Sequence, residues 1–79
     1  MKKPTDQEEL KIAKKIGATV KALRQARKWS QSELAEKAGI SDYKVVGFVE
    51  QAATFPSLRT LSRLAKALKV SVSKLTEGV

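Results

Sequence analysis

Residues 30–48 of this chain read SQSELAEKAGISDYKVVGF, a pattern that predicts two short helices joined by a tight turn. Ser30 and Glu33 have the spacing of a capping box, which is typical of a helix start. Gly39 suits the left-handed conformation that ends a helix, and Ser41 is placed to cap the next one. A helix pair of this kind can present its second helix to the major groove of DNA.

Helical spacing continues on both sides of this pair. A capping box of Thr5 and Glu8 comes before an apolar stripe at helical period, and together they predict a first helix over about residues 6–28. Ser57 begins a fourth helix with leucines at helical spacing, and Ser71 caps a short last one. The predicted fold class is therefore all-α, with five helices in one compact domain.

The composition narrows the classes of function. The 79 residues suffice for one small domain, and they include no cysteine and no histidine. Disulfides, thiolate metal ligands and Cys or His nucleophiles are thereby excluded. There is no glycine-rich phosphate loop and no facing carboxylate pair, so the sequence predicts no enzyme, no metal and no cofactor. Neither a secretory signal nor an apolar run of about 20 residues is visible, so we expect a cytoplasmic protein without a membrane partner.

The charge is strongly basic and unevenly distributed. Sixteen basic residues against eight acidic ones give a formal net charge of +8. Residues 10–32 hold seven basic side chains and no acidic one. Residues 51–76 hold five more basic side chains, again without an acidic one. This excess favours a polyanionic partner such as double-stranded DNA. The alternative is a soluble domain whose charged surface contacts only water.

Several short motifs, taken in order, resemble those of the phage repressor and Cro-like helix-turn-helix family, also called XRE-type regulators. The match covers residues 16–75 and rests on Ile16-Gly17, Val20, Leu23-Arg24, Ser30-Gln31, Leu34-Ala35, Gly39-Ile40-Ser41, Val45, Phe48, Pro56-Ser57-Leu58 and Leu64-Ala65-Lys66-Ala67-Leu68. The resemblance implies a lambda-repressor-like fold and a homodimeric, nucleoid-associated repressor of transcription. We expect residues 1–15 to be an N-terminal extension continuing into helix 1, and residues 16–79 to be the DNA-binding domain.

The third helix is ambiguous from its sequence. Val45–Val49 is apolar enough for a buried strand, but a lone strand would leave its edges unpaired, which favours a helix. At about 100° per residue, Val45, Phe48 and Val49 fall on one side, which we take as the core side. The opposite side then carries Tyr43, Val46, Gly47 and Glu50. Near the exposed start of the helix, the candidates for reading bases are Asp42, Tyr43, Val46 and Gly47. Asp can accept from cytosine and Val can touch a thymine methyl, but this set lacks the strong bidentate readers Arg, Asn and Gln.

Candidates for contact with the phosphate backbone lie near helix N-termini, where free N–H groups and the helix dipole favour anions. Gln31, at the start of helix 2, is the best placed, and the family resemblance supports it. The other candidates are Ser30, Ser41, Lys44 and Lys28, although we expect both serines to cap their helices.

The resemblance also implies an ion pair between the helix 1 arginine, here Arg24, and a glutamate near the end of helix 3. In this chain Glu50 falls one residue late, and Val49 takes the family position. Two alternatives follow. Glu50 faces outward on a regular helix, or helix 3 ends early and the chain turns Glu50 back to Arg24.

Apolar residues towards the C-terminus predict a dimer contact built from Phe55, Val70, Val72 and Leu75. The alternative is that Val70 and Leu75 only complete the core of the monomer. A second functional hypothesis is a protein-binding adaptor or antitoxin-like partner on a helix-turn-helix scaffold. An exposed valine and acidic residues on helix 3 would favour that hypothesis, whereas the net charge and Gln31 favour DNA.

Overall fold

The computed structural model describes residues 3–77 and contains five helices in that part of the chain. They are α1 (Gln7–Ala26), α2 (Gln31–Ala38), α3 (Lys44–Glu50), α4 (Leu58–Leu68) and α5 (Val72–Leu75). The predicted five-helix, all-α class is confirmed. The segment that composition alone could assign to a buried strand is helical.

Three of the predicted helix starts are confirmed at their capping side chains. The Ser30 hydroxyl accepts from the Glu33 N–H, and the Glu33 carboxylate accepts from the Ser30 N–H at 2.8 Å, so the capping box is complete. The hydroxyls of Ser57 and Ser71 cap α4 and α5 by accepting from the N–H groups of Thr60 and Lys74, without the reciprocal bond of a capping box. Gly39 ends α2 with a φ of 70°, in the left-handed region that glycine adopts without strain.

Two predicted caps are wrong. Asp6, not Thr5, caps α1, because the Asp6 carboxylate accepts from the Glu9 N–H at 2.8 Å. Ser41 does not cap α3, and the N-cap residue of this helix, Tyr43, makes no capping hydrogen bond through its side chain. The side chain of Asp42 instead accepts from the Lys44 N–H at 2.9 Å and orders the turn before the helix.

The core collects side chains from all five helices. Its largest fully buried members are Ile16, Val20, Leu34, Val46, Val49, Leu64, Leu68 and Leu75. Leu75 is 0% exposed, so the short α5 closes the monomer's core rather than offering this side chain to a second subunit. The predicted place of Leu75 in a dimer contact is therefore wrong, and the alternative core role is confirmed for Leu75 alone.

Gly17 brings α1 directly against the end of α3. A Cβ on Gly17 would clash with the backbone carbonyl of Val49 and lie 2.8 Å from that of Glu50. Because backbone atoms on a packed helix cannot move aside cheaply, only glycine permits this approach. The close approach puts the last turn of α3 beside the basic end of α1.

The predicted orientation of α3 is wrong. Val46 and Val49 are buried, whereas Phe48 is 47% exposed and Val45 is only half-buried. Each of the two orientations buries two valines, so the hydrophobicity of the valines does not distinguish between them. The prediction rested on the assumption that Phe48 lies in the core, and that assumption is incorrect. The observed orientation puts Val46 and Glu50, four residues apart, on the same inner face.

Candidate nucleic-acid interface

A nearly buried ion pair joins the end of α1 to the end of α3. Arg24 Nε donates to Glu50 Oε2 at 2.7 Å, and Arg24 Nη2 donates to Glu50 Oε1 at 3.0 Å. The two side chains are 11% and 3% exposed. The hydrogen bonds to Glu50 raise the pKa of Arg24 above its ordinary value, although burial opposes the shift, so the guanidinium stays charged.

The structure combines parts of the two alternatives for Glu50. The carboxylate does reach Arg24, as in the second alternative, but α3 runs as a helix through Glu50 and does not end early. Arg24 also donates from Nη1 to the carbonyl of Trp29 at 2.8 Å, which fixes the turn between α1 and α2. One arginine therefore positions both the entry to α2 and the exit from α3.

Gln31, the first residue of α2, completes this network. Its Nε2 donates to Glu50 Oε1 at 3.1 Å. The side chain lies against Gly47, where an added Cβ would be 3.3 Å from Gln31 Oε1. An amide nitrogen carries two hydrogens, so Gln31 can bond Glu50 and still offer a second N–H to an anion. The first turn of α2 is thus tied to α3 through this side chain.

The predicted base-reading residues do not lie on one surface. Asp42 and Tyr43 are exposed in the turn before α3, with Tyr43 52% exposed. Val46 is fully buried and Gly47 is covered by Gln31, so neither presents a group to solvent. The assignment of Val46 and Gly47 to base reading is wrong because it rested on the incorrect orientation of α3.

The outward face of α3 instead carries Lys44, Phe48 and Gln51. All three are exposed, at positions i, i+4 and i+7, which form one stripe opposite the buried valines. The orientation predicted from the sequence did not place Phe48 and Gln51 on this face. A signal was present, however, because pairing Glu50 with Arg24 would have placed Val46 inside and Phe48 outside.

The five phosphate candidates have different surroundings. Lys28 and Lys44 are exposed, and Ser30 and Ser41 are exposed as well. The Ser30 hydroxyl is occupied as the cap of α2, whereas Ser41 has no capping role. Gln31 is half-buried and contacts Glu50 and Gly47.

Two arginines outside this area stabilise helix ends. Arg27 Nη2 donates to the Leu68 carbonyl at 2.6 Å, and Arg63 Nη1 donates to the Gly39 carbonyl at 2.9 Å. Both carbonyls are at helix C-termini, where the helix dipole favours a cation. Part of the basic excess therefore serves the fold.

Three members of the predicted dimer contact keep some accessible apolar surface. Phe55, Val70 and Val72 are half-buried, and the two valines pack against the core. Within residues 3–77 no helix is long and apolar enough to cross a membrane. The same residues contain no group of three or more side chains suited to hold a metal ion.

Known proteins share this sequence pattern and architecture. Residues 20–75 match the HTH_3 helix-turn-helix family. The transcriptional regulator SutR of Escherichia coli (strain K12) is 39% identical over 62 residues, which cover 78% of this chain and 34% of SutR. The immunity repressor protein of Bacillus phage phi105 is 40% identical over 60 residues, covering 76% of this chain and 41% of the repressor. This chain thus spans less than half the length of either relative.

A solved structure matches over a larger share of its own length. The restriction-modification controller protein C.AhdI from Aeromonas hydrophila superposes with a TM-score of 0.75 at 35% identity, covering 80% of this chain and 94% of that protein. The motifs, the helix arrangement and these matches lead to one conclusion. The chain belongs to the HTH_3 family of helix-turn-helix proteins, which includes phage repressor and XRE-type regulators.

Proposed function

We propose that this chain is a transcriptional regulator that binds double-stranded DNA, with α3 in the major groove and the start of α2 against the phosphate backbone. The observation that carries the proposal is the Arg24–Glu50–Gln31 network. It holds the first residue of α2 at a fixed position relative to α3 and leaves the outer face of α3 exposed. A rigid pair of helices with one free face is what docking in a groove requires.

Charge and family membership support the same function. The net charge of +8 suits a polyanion, and the relatives described above are named as a regulator, a repressor and a controller protein. Under this proposal the chain acts by binding rather than by catalysis, and it works in the cytoplasm, where bacterial and phage DNA is accessible. Gln31, Ser41, Lys28 and Lys44 are the phosphate contacts, with Ser30 acting through its cap, and Asp42 and Tyr43 lie at the edge of the groove.

A salt titration tests the proposal. Binding of the full chain to a random-sequence duplex should weaken steeply, by roughly 10³ to 10⁵ between 50 and 200 mM salt if 6 to 10 phosphates are contacted. Gln31→Ala should weaken binding to every sequence alike, because phosphate contacts carry no sequence information. Affinity that barely changes with salt would contradict DNA binding.

The proposed regulator acts as a homodimer on two half-sites, as a single small domain reads only a few base pairs. Phe55, Val70 and Val72 remain as the apolar groups for a twofold contact. Sedimentation equilibrium at micromolar concentrations should show twice the 8.7 kDa monomer mass for the free protein, and two chains per duplex once DNA is added. A free protein that stays at the monomer mass, together with only one chain bound per duplex, would remove the dimer from the proposal.

The protein-binding alternative has one observation in its favour. Phe48 and Leu58 are exposed apolar side chains, at 47% and 71%. An adaptor would use such groups with little dependence on salt, so the titration above separates the two functions.

A further inference from the structure

Phe48 lies at the centre of the outward stripe of α3, between the cation of Lys44 and the amide of Gln51. Phe48 is 47% exposed, although the same helix buries two valines. A large aromatic ring left in water on a short helix forgoes the stabilisation that burial would provide. Packing among the described residues does not account for the exposed part of Phe48.

The ring also forms part of an open recess. Lys3, Val45, Ala53 and Thr54 line this recess together with Phe48, and its volume is about 350 Å³. Val45, Ala53 and Phe48 contribute apolar side chains to the lining, and Lys3 contributes a cation. No acidic residue contributes to the lining. With Lys44 on the adjoining stripe, the charge around Phe48 is complementary to nucleic acid.

The major groove of DNA offers one apolar group to such a side chain. Each base pair presents hydrogen-bond donors and acceptors there, and thymine adds its C5-methyl group. A phenylalanine cannot hydrogen-bond a base edge, so the contribution it can make to sequence reading is contact with that methyl. Gln51, one turn further along, is of the residue type that bonds adenine bidentately.

We propose that Phe48 is a specificity-determining residue that contacts the C5-methyl group of thymine, with Lys44 and Gln51 making the flanking polar contacts. The proposal rests on DNA binding by α3. It identifies a feature of the preferred sequence, namely thymine at the positions facing the middle of α3.

The test uses deoxyuridine, which lacks the methyl group but keeps the hydrogen-bonding edge of thymine. A preferred duplex is first selected from a random library with the full chain. Each thymine is then replaced singly by deoxyuridine, and Kd is measured for the parent and for Phe48→Ala. Burial of one methyl-sized group predicts a loss of about fourfold for the parent at one or two positions. Phe48→Ala should bind the thymine and deoxyuridine duplexes alike.

Leu58→Ala is the matched control, since Leu58 is an even more exposed apolar residue on a different helix. It should keep the parent's preference for thymine. The urea midpoint of Phe48→Ala should stay near that of the parent, which shows that the variant is folded.

Other outcomes would overturn the proposal. They are a library that yields no preferred duplex, a parent insensitive to deoxyuridine at every position, and a preference that survives in Phe48→Ala. A Phe48→Ala chain that loses self-association while keeping the thymine preference would assign the ring to a protein contact instead. If the chain does bind DNA, its affinity for random duplex DNA still falls steeply with salt in each of these cases. Failure of the thymine proposal is therefore distinguishable from failure of the proposed function.

Discussion

Helices α2 and α3 are adjacent and similar in length, at eight and seven residues, but different interactions hold them. α2 has a complete capping box at Ser30 and a left-handed glycine at its end, all within its own sequence. The N-cap residue of α3, Tyr43, makes no side-chain cap, and the last residue of the helix is held by Arg24 from α1. Local sequence therefore defines α2, whereas the position and rotation of α3 depend on tertiary contacts. The helix proposed to enter the groove, α3, is therefore the one whose placement depends on contacts with other helices.

The largest expected effect separates the two faces of α3. Val46→Asp should unfold the domain, because an unpaired carboxylate in the core costs more than about 5 kcal/mol, comparable with the whole stability of a small domain. Phe48→Asp should change the free energy of unfolding by about 1 kcal/mol or less, because the carboxylate stays in water.

Urea unfolding followed by circular dichroism measures both variants. Similar losses in the two, or an unfolded Phe48→Asp with a folded Val46→Asp, would show that α3 is rotated differently from the orientation described.

The next effect concerns the tertiary support of α3. Glu50→Ala or Arg24→Ala should each cost about 3–5 kcal/mol, since each leaves a nearly buried partner uncompensated. The double variant should cost less than the sum, with a coupling of about 1–3 kcal/mol.

The exposed pair Lys74–Glu77, 3.6 Å apart, is the control. Its coupling in the same double-mutant cycle should be below about 1 kcal/mol, because solvent screens exposed ion pairs. Additive losses for Arg24 and Glu50 would mean that their ion pair does not stabilise α3.

The smallest expected effect tests the local support of α2. Ser30→Ala should lower the free energy of unfolding by about 1 kcal/mol, as is usual for a lost N-cap. Ser41→Ala should change it by less than about 0.5 kcal/mol, because Ser41 caps nothing. A larger loss for Ser41→Ala than for Ser30→Ala would reverse the assignment of caps.

The difference between local support of α2 and tertiary support of α3 explains which features the sequence could predict. Capping serines, Gly39 and leucine periodicity are local signals, and they correctly placed α2, α4 and α5. The orientation of α3 depends on an ion pair between residues 24 and 50, which helical periodicity within α3 does not contain. Phe48 was assigned to the core because hydrophobicity does not distinguish an apolar side chain that packs from one that stays exposed.

The candidate site was predictable to a similar extent. The start of α2 with Gln31 could be located from its motif, and the family resemblance suggested the ion pair of Arg24. The bond between Gln31 and Glu50 was not predictable, since it depends on the close packing of α2 on α3 at Gly47. Leu75 was assigned to a dimer contact because the sequence does not show that the short α5 folds back onto the core.

An NMR titration with duplex DNA tests the central claim most directly, because it reports on each residue of α2 and α3 at once. The account predicts that the largest chemical-shift changes occur at Gln31, Tyr43, Lys44, Phe48 and Gln51, while the methyl groups of the buried Val46 and Val49 change little. Changes confined to α5 or the N-terminal half of α1, or no changes at the outer face of α3, would contradict it.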